Sequence, residues 1–328
     1  MPELNFSRLH LSSQFSDRHL CKLFAHQFMY GAREVLIDYM NLSFDNLFCG
    51  VLQHGVGAPS ELWNNFPSPR LNLKRSPIWL ASEKGKTYLQ EQGVKRVYAI
   101  GSAWTYFLHT LEKKSKSLKT VSKESKERDI LFFPDHGAWN ITPQYKRLSI
   151  HHTLSIVRRN FPNDKITVCV YFTEYLSEDW HKIAHDYEME VVCAGSGVTT
   201  PDWSITSGRI LFFDRLKEFF SQHHVALFQS YTSAIFYALS LGLPVMILRG
   251  EKNAPFEHSL KDTTELIGMF PEIAENFTAD KKLTEYSHEI LGTESKLDPE
   301  SLNSLLKPRK IEMLSQEYNG YQRDFLLN

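Results

Sequence analysis

The amino-acid sequence predicts an α/β protein whose parallel sheets are covered by helices, organised in two units. Three observations carry this expectation. Short apolar runs of strand length alternate with helical segments along most of the chain. The length, 328 residues, exceeds one ordinary domain and suits two of about 150. Between two alternating regions lies the stretch EKKSKSLKTVSKESKER at 112–128, where Lys and Ser dominate and apolar residues nearly vanish, so it reads as an interdomain linker or a long exposed loop.

Before that break, 20–40 has helical character, 47–53 and 78–81 read as strands, 84–92 as a helix stopped by Gly93, and 97–100 as a strand. After it the rhythm sharpens. Strands are expected at 130–133, 166–171, 191–194, 225–228 and 245–248, with helices near 144–159, 177–187, 215–222 and 232–241. That pattern is a doubly wound sheet. The stretch 275–328 reads as polar helices punctuated by Pro299 and Pro308, without assignable chemistry.

Composition excludes several classes. Hydrophobic residues make up 42% of the chain, enough for proper cores, and the formal net charge is −1, so no global basic field draws it onto nucleic acid. The four cysteines, Cys21, Cys49, Cys169 and Cys193, are widely spaced and form no C-x-x-C pair, which argues against a disulfide framework or a zinc knuckle and suits a reducing cytoplasm. The N-terminus lacks the pattern of a secretory signal, and no apolar run reaches the roughly 20 residues needed to span a bilayer. A soluble cytoplasmic protein is expected, with peripheral contact at the inner face of the membrane open through the basic linker.

In doubly wound sheets ligands sit beyond the carboxyl ends of the strands. Here those positions read Asp135-His136-Gly137, Thr173-Glu174, Gly195-Ser196-Gly197, Ser230-Tyr231-Thr232-Ser233 and Arg249-Gly250-Glu251. The hydroxyl cluster Ser230, Thr232, Ser233 opens a helix, and a helix start offers unpaired N–H groups and a positive dipole end, so the natural ligand is an anion. The plain alternative is that Ser230 or Thr232 is an ordinary N-cap.

Missing signatures narrow the chemistry. No G-x-G-x-x-G, G-x-x-x-x-G-K-[ST], G-x-S-x-G or H-E-x-x-H is present, nor any Asp-x-Asp pair, so no metal or cofactor is expected and leaving-group charge falls to dipoles and side-chain donors. Two of the 14 histidines stand at strand ends beside glycine: His54 in QHGVGAP and His136 in FFPDHGAWN. Either can exchange a proton near neutral pH or donate to phosphate. Asp135 can act as a carboxylate base or fix the tautomer of a neighbouring imidazole. The pairs at 151–152 and 223–224 read as structural histidines, and Trp104, Trp139 and Trp203 as core residues or a platform for a sugar or base.

Four segments then carry a resemblance: QHG at 53–55, SPIWLASEKGKTYLQEQGVKRVYAIGSAWTY at 76–106, ILFFPDHGAWN at 130–140 and FQSYTSAIFYALSLGLPV at 228–245. Over roughly 45–250 the order of these motifs resembles bacterial glycosyltransferases of the GT-B type, with two Rossmann-like domains and an interdomain cleft. More narrowly it is similar to enzymes of capsule and lipopolysaccharide synthesis that use CMP-Kdo or CMP-sialic acid, and to CDP-glycerol glycerophosphotransferases. The resemblance implies an acceptor-side domain at 1–111, the linker at 112–128 and a nucleotide-binding domain with C-terminal helices at 129–328. It implies a metal-independent glycosyltransferase that moves a CMP-linked acidic sugar onto a glycan or glycolipid hydroxyl. His54 and Asp135 are the expected catalytic residues, and His136, Glu174, Gly195, Ser196, Ser230, Tyr231, Thr232 and Ser233 the expected donor contacts. Where CMP-using members show His-Pro, this chain has His136-Gly137. Polyol-phosphate transfer from a CDP-alcohol, a non-catalytic glycan or nucleotide-sugar binder, and other nucleotide-sugar enzymes such as epimerases of the same architecture are the alternatives.

Overall fold

The computed structural model describes residues 27, 30–43, 45–48, 50–53, 55–59, 77–114, 128–135, 143–195, 211–248 and 280–310. The described residues within Met1–Ser117 and His288–Asn328 form one compact unit, and those within Leu118–Gly197 and Leu211–Ser287 the other. Both are built on parallel strands with helical connections, the expected α/β class.

Among the described residues the first helix of the first unit is α1 (Ala32–Tyr39), which opens after Gly31 in the left-handed region at φ 72°. Strands β1 (Asn46–Leu47) and β2 (Val51–Leu52) replace the single strand expected at 47–53. The break falls at Gly50, whose φ is +122° and whose missing Cβ would stand 2.4 Å from the Pro77 carbonyl oxygen, so no other residue makes this turn unstrained. Next come β3 (Ile78–Leu80), α2 (Glu83–Glu91), β4 (Val97–Ala99) and α3 (Ala103–Lys114). Ser82 caps α2 by accepting the Gly85 N–H at 3.2 Å, and the Ser102 hydroxyl accepts the Thr105 N–H at 3.3 Å where α3 starts. The sheet order is β2-β3-β4, all parallel.

The linker expectation at 112–128 meets the structure only at its ends. Residues 112–114 form the last turn of α3, Arg128 holds Asp164 through paired bonds of 2.7 and 3.0 Å, and 115–127 lie outside the described residues.

The second unit runs β5 (Asp129–Phe133), α4 (Pro143–Asn160), β6 (Lys165–Cys169), α5 (Phe172–Tyr175), α6 (Glu178–Asp186), β7 (Glu190–Val192), α7 (Leu211–Gln222), β8 (Val225–Phe228), α8 (Ser233–Ser240) and β9 (Val245–Ile247). All five strands are parallel in the order β7-β6-β5-β8-β9. Alternation along β5 supplies both faces. Ile130 and Phe132 join Ile150, Leu154 and Val157 of α4 and Trp180 and Ile183 of α6 in one core. Phe133 instead stacks on Phe228 at 4.7 Å and meets Phe220 of α7 at 5.9 Å. Helices on both faces make the strands continuous apolar runs, which is why they were readable in the sequence.

Helix α9 (Lys281–Leu291) carries the chain from the second unit into the first, and α10 (Pro299–Leu306) and β10 (Arg309–Lys310) follow. The C-terminal part is therefore divided differently from the expected domain 129–328, because residues from His288 belong with the first unit. The reason is a set of long-range bonds. Ser102 N–H donates to the Leu291 carbonyl at 2.8 Å, Tyr39 hydroxyl to the Leu297 carbonyl at 2.9 Å, and β10 pairs antiparallel with β1. Gly292 is indispensable to this docking: a Cβ there would fall 1.7 Å from the Ala81 carbonyl oxygen. The Ile100-Gly101-Ser102 motif thus serves to receive the 291–298 segment.

Helix α1 is tied to β1 by a buried charge. Arg33, 2% exposed, pairs with Glu34 at 2.8 Å and donates through Nη1 to the Asn46 carbonyl at 2.7 Å. Arg33→Met is expected to lower unfolding free energy by about 3 kcal/mol in urea denaturation because it leaves the Glu34 carboxylate buried, and Arg33→Met with Glu34→Leu to recover much of that loss.

Candidate functional site

The chain passes from β5 to β6 and β7 on one side and reaches β8 and β9 on the other, so the direction of winding reverses between β5 and β8. At such a reversal the loops leaving adjacent strands diverge and open a crevice at their carboxyl ends. Asp135 follows β5, and Gln229, Ser230, Tyr231 and Thr232 follow β8. One side chain spans the gap. The Gln229 carboxamide accepts the Asp135 N–H at 3.0 Å and donates to the Thr153 hydroxyl of α4 at 3.2 Å. Gln229 N–H itself donates to the Phe133 carbonyl at 2.9 Å, continuing the ladder one residue past the strands. Asp135 is thereby held, half-buried, past the end of β5, the strand next to β8, which the hydroxyl cluster follows.

Thr232 occupies the N-cap position of α8, with φ −149° and ψ 157°, yet its side chain makes no capping bond. The plain N-cap expectation is met in position and not in bonding: the hydroxyl is left for another partner. Ser230, Tyr231, Thr232 and Ser233 are all partly exposed around this helix start, and Tyr231 packs edge-on against Phe236 at 5.5 Å.

Across the sheet, Glu174 and Gly195 lie at the same edge beyond β6 and β7. Glu174 sits in the one-turn α5 and accepts the Tyr171 N–H at 3.2 Å, so part of its capacity closes that turn. Gly195 has φ +117°, and its N–H donates to the Cys193 sulfur at 3.2 Å. A Cβ on Gly195 would meet the Arg215 guanidinium at 3.4 Å. Arg215, exposed on α7, has no ion pair among the described residues, and sequence reading passed over it because it lies inside a helix rather than after a strand. Phe172, Tyr175 and Leu176, the exposed large apolar side chains of the described residues, stand beside Glu174.

Burial disfavours the thiolate form of both cysteines here. Burial, then the neighbouring Cys193, push Cys169 up to about 12. Burial also raises Cys193, opposed by the Gly195 N–H and the Arg215 charge. Tyr171 is raised by burial and by the Cys193 and Glu174 charges. Among the described residues no group of three His, Cys, Asp or Glu side chains converges in a way that could hold a metal ion, and no helix is long and apolar enough to cross a membrane.

Of the expected site residues, Asp135, Glu174, Gly195, Ser230, Tyr231, Thr232 and Ser233 are at one edge of the second sheet, while His54, His136 and Ser196 lie outside the described residues. Trp104 is fully buried against Phe107 at 5.3 Å and is core rather than platform; Trp139 and Trp203 lie outside the described residues. His223 and His224 are structural as expected, bonded to the Phe219 carbonyl at 2.7 Å and the Asp129 N–H at 3.1 Å.

No family model and no curated protein matches the chain. Among solved structures it is similar to the UDP-GlcNAc 2-epimerase from Neisseria meningitidis bound to UDP-GlcNAc, at 13% identity over 70% of this chain and 59% of that one, TM-score 0.35. The S. aureus MnaA–UDP co-structure matches at 13% identity, over 80% of this chain and 66% of that one, TM-score 0.39. The pneumococcal O-GlcNAc transferase GtfA in complex with UDP and GlcNAc matches at 10% identity, over 76% and 45%, TM-score 0.30. The chain thus spans 59% of the first of these. At TM-scores of this size the likenesses assign no activity.

Gln229→Leu removes both bonds of the bridge. It is expected to cost about 1–2 kcal/mol in urea unfolding and to speed amide hydrogen exchange at Asp135.

Proposed function

We propose that the second unit binds a nucleotide-activated sugar along the carboxyl edge of its sheet and that the protein is a glycosyltransferase. The observation that carries this reading is the uncapped Thr232 hydroxyl at the start of α8, beside the reversal point where Gln229 fixes Asp135. From β8 to β7 is three strand spacings, about 14 Å, room for phosphate, sugar and nucleoside laid end to end along the edge.

The chemistry follows from these positions. An acceptor hydroxyl oxygen attacks the anomeric carbon as the bond from that carbon to the donor phosphate oxygen breaks, and the acceptor proton passes to a base, His54 or Asp135. Negative charge grows on the departing phosphate. The α8 start, with its N–H groups, dipole and the hydroxyls of Ser230, Thr232 and Ser233, stabilises that charge without a metal ion. His136, Glu174, Gly195, Ser196 and Tyr231 complete the donor pocket, with Arg215 adding positive charge at the β7 end. A CMP-linked acidic sugar is the favoured donor, Arg215 and the α8 start supplying two separate positive features for its two anionic groups. A surface-glycan hydroxyl is the acceptor, and capsule or lipopolysaccharide synthesis the process served.

A thermal-shift screen with CMP, CDP, UDP and GDP is expected to raise the melting temperature with one of them. Absence of a shift with all four, in folded protein, rejects the reading. Thr232→Ala should weaken that nucleotide roughly tenfold, as loss of one hydrogen bond to a charged group does. Its unliganded stability should change by less than about 0.5 kcal/mol because the hydroxyl caps nothing. With donor and acceptor supplied, His54→Ala and Asp135→Ala separate transfer from binding: product loss with nucleotide binding retained supports catalysis. Label moving from the glycerol of a CDP-alcohol instead of from a sugar selects polyol-phosphate transfer.

A further inference from the structure

Three basic side chains converge on the ring of Tyr39 in the first unit. His109 and Lys113 stand four residues apart on α3 and so share a face. Lys296 arrives from the segment after the Thr293–Ser295 turn. Its Nζ donates to Nδ1 of His109 at 3.0 Å, and because an ammonium has only donors, the neutral imidazole carries its proton on Nε2. The His109 ring meets Tyr39 edge-on at 5.7 Å. Nζ of Lys113 and Nζ of Lys296 each lie 6.0 Å from the Tyr39 ring centroid.

The surrounding structure holds this grouping in place. Tyr39 hydroxyl donates to the Leu297 carbonyl at 2.9 Å, and Leu297 N–H donates to the Tyr106 hydroxyl at 3.0 Å, so the residue after Lys296 is gripped on both sides. A Cβ on Gly101, whose φ is +83°, would stand 3.3 Å from Lys296 Cα, so glycine is what lets the lysine backbone approach.

The arrangement is electrostatically costly. Burial, then Lys296 and Lys113, hold His109 below the usual imidazole value, with Glu112 acting the other way. Burial and Lys113 likewise lower Lys296, again against Glu112. Asp298, another acid nearby, acts on Tyr39 and Tyr106. Among the described residues neither lysine forms an ion pair with a carboxylate. Positive charge gathered at a braced position, where neither lysine is ion-paired among the described residues, is relieved by an anion, and such groupings concentrate at binding sites.

We propose that His109, Lys113 and Lys296 form a phosphate-binding site. When the anion arrives, His109 takes a proton from solvent on Nδ1. The Lys296 bond to that nitrogen opens, and both N–H groups turn to phosphate oxygens, with Lys113 as the third donor. A soluble phosphate or phosphate monoester and a phospholipid headgroup share this chemistry. The site is independent of the transferase reading and stands or falls without it.

The test is a histidine NMR titration of the full chain, with His109 assigned through His109→Gln, in phosphate and in chloride at matched ionic strength. Phosphate is expected to raise the His109 pKa by about one unit, equivalent to about tenfold preference for the protonated form. Lys113→Met, at an exposed position that leaves the fold intact, should abolish most of the shift, and Lys296→Met all of it. In a second arm the protein is sedimented with phosphatidylglycerol vesicles and with neutral phosphatidylcholine vesicles. A phosphate-specific shift assigns a soluble phosphate ligand. Binding to phosphatidylglycerol lost in Lys113→Met, without a shift in free phosphate, assigns a headgroup. Equal His109 titrations in both salts together with no Lys113-dependent vesicle binding overturn the proposal.

Discussion

Parallel strands buried on both faces leave polar chemistry only one place to go, the strand ends, and the second unit is organised by that constraint. Helices on both faces make most side chains in the middle of β5, β6, β8 and β9 apolar, and Phe132 and Phe133 face opposite cores shortly before Asp135 leaves the sheet. The reversal of winding between β5 and β8 then brings Asp135 beside the hydroxyls that open α8. The Gln229 carboxamide makes this adjacency rigid, since a single planar group bonds the strand exit on one side and α4 on the other. A site assembled this way has its backbone positions set by core packing before any ligand arrives.

The first unit meets the corresponding problem differently. The carboxyl ends of β3 and β4 are covered by the chain itself: Gly101 N–H donates to the Ala81 carbonyl at 3.0 Å, and Gly292 closes over the same residue. Polar groups that would otherwise face a ligand are used in binding the C-terminal segment, which brings Lys296 to His109. The basic cluster around Tyr39 is therefore a by-product of how the C-terminal segment folds back, and it places cationic chemistry where no motif announced it.

Much of the architecture was legible from local pattern. Doubly buried strands read as unbroken apolar runs, and the helix at 84–92 was marked by its stop at Gly93. The strand at 47–53 misled because apolar character continues through Gly50, and only the closeness of the Pro77 carbonyl shows why the chain must turn there. At the site, the residues after each strand were found because strand ends are where parallel sheets put ligands. Gln229 and Arg215 were missed for opposite reasons. Gln229 lies between the expected strand at 225–228 and the hydroxyl cluster, and Arg215 opens the expected helix at 215–222; their significance lies in partners 94 and 20 residues away, Asp135 and Gly195.

The α/β class, the alternation of strand and helix and the polar, glycine-bearing character of the strand ends are all written in residues that are neighbours along the chain, so local pattern was enough to read them. The strand order β7-β6-β5-β8-β9, the return of the C-terminal segment to the first unit and the gathering of His109, Lys113 and Lys296 on one tyrosine emerge only in the folded chain. Those features depend on contacts between residues as far as 264 positions apart, as between Asn46 and Lys310. Such contacts are selected by packing, close backbone approach and hydrogen-bond satisfaction across the folded chain, and local periodicity carries no record of them.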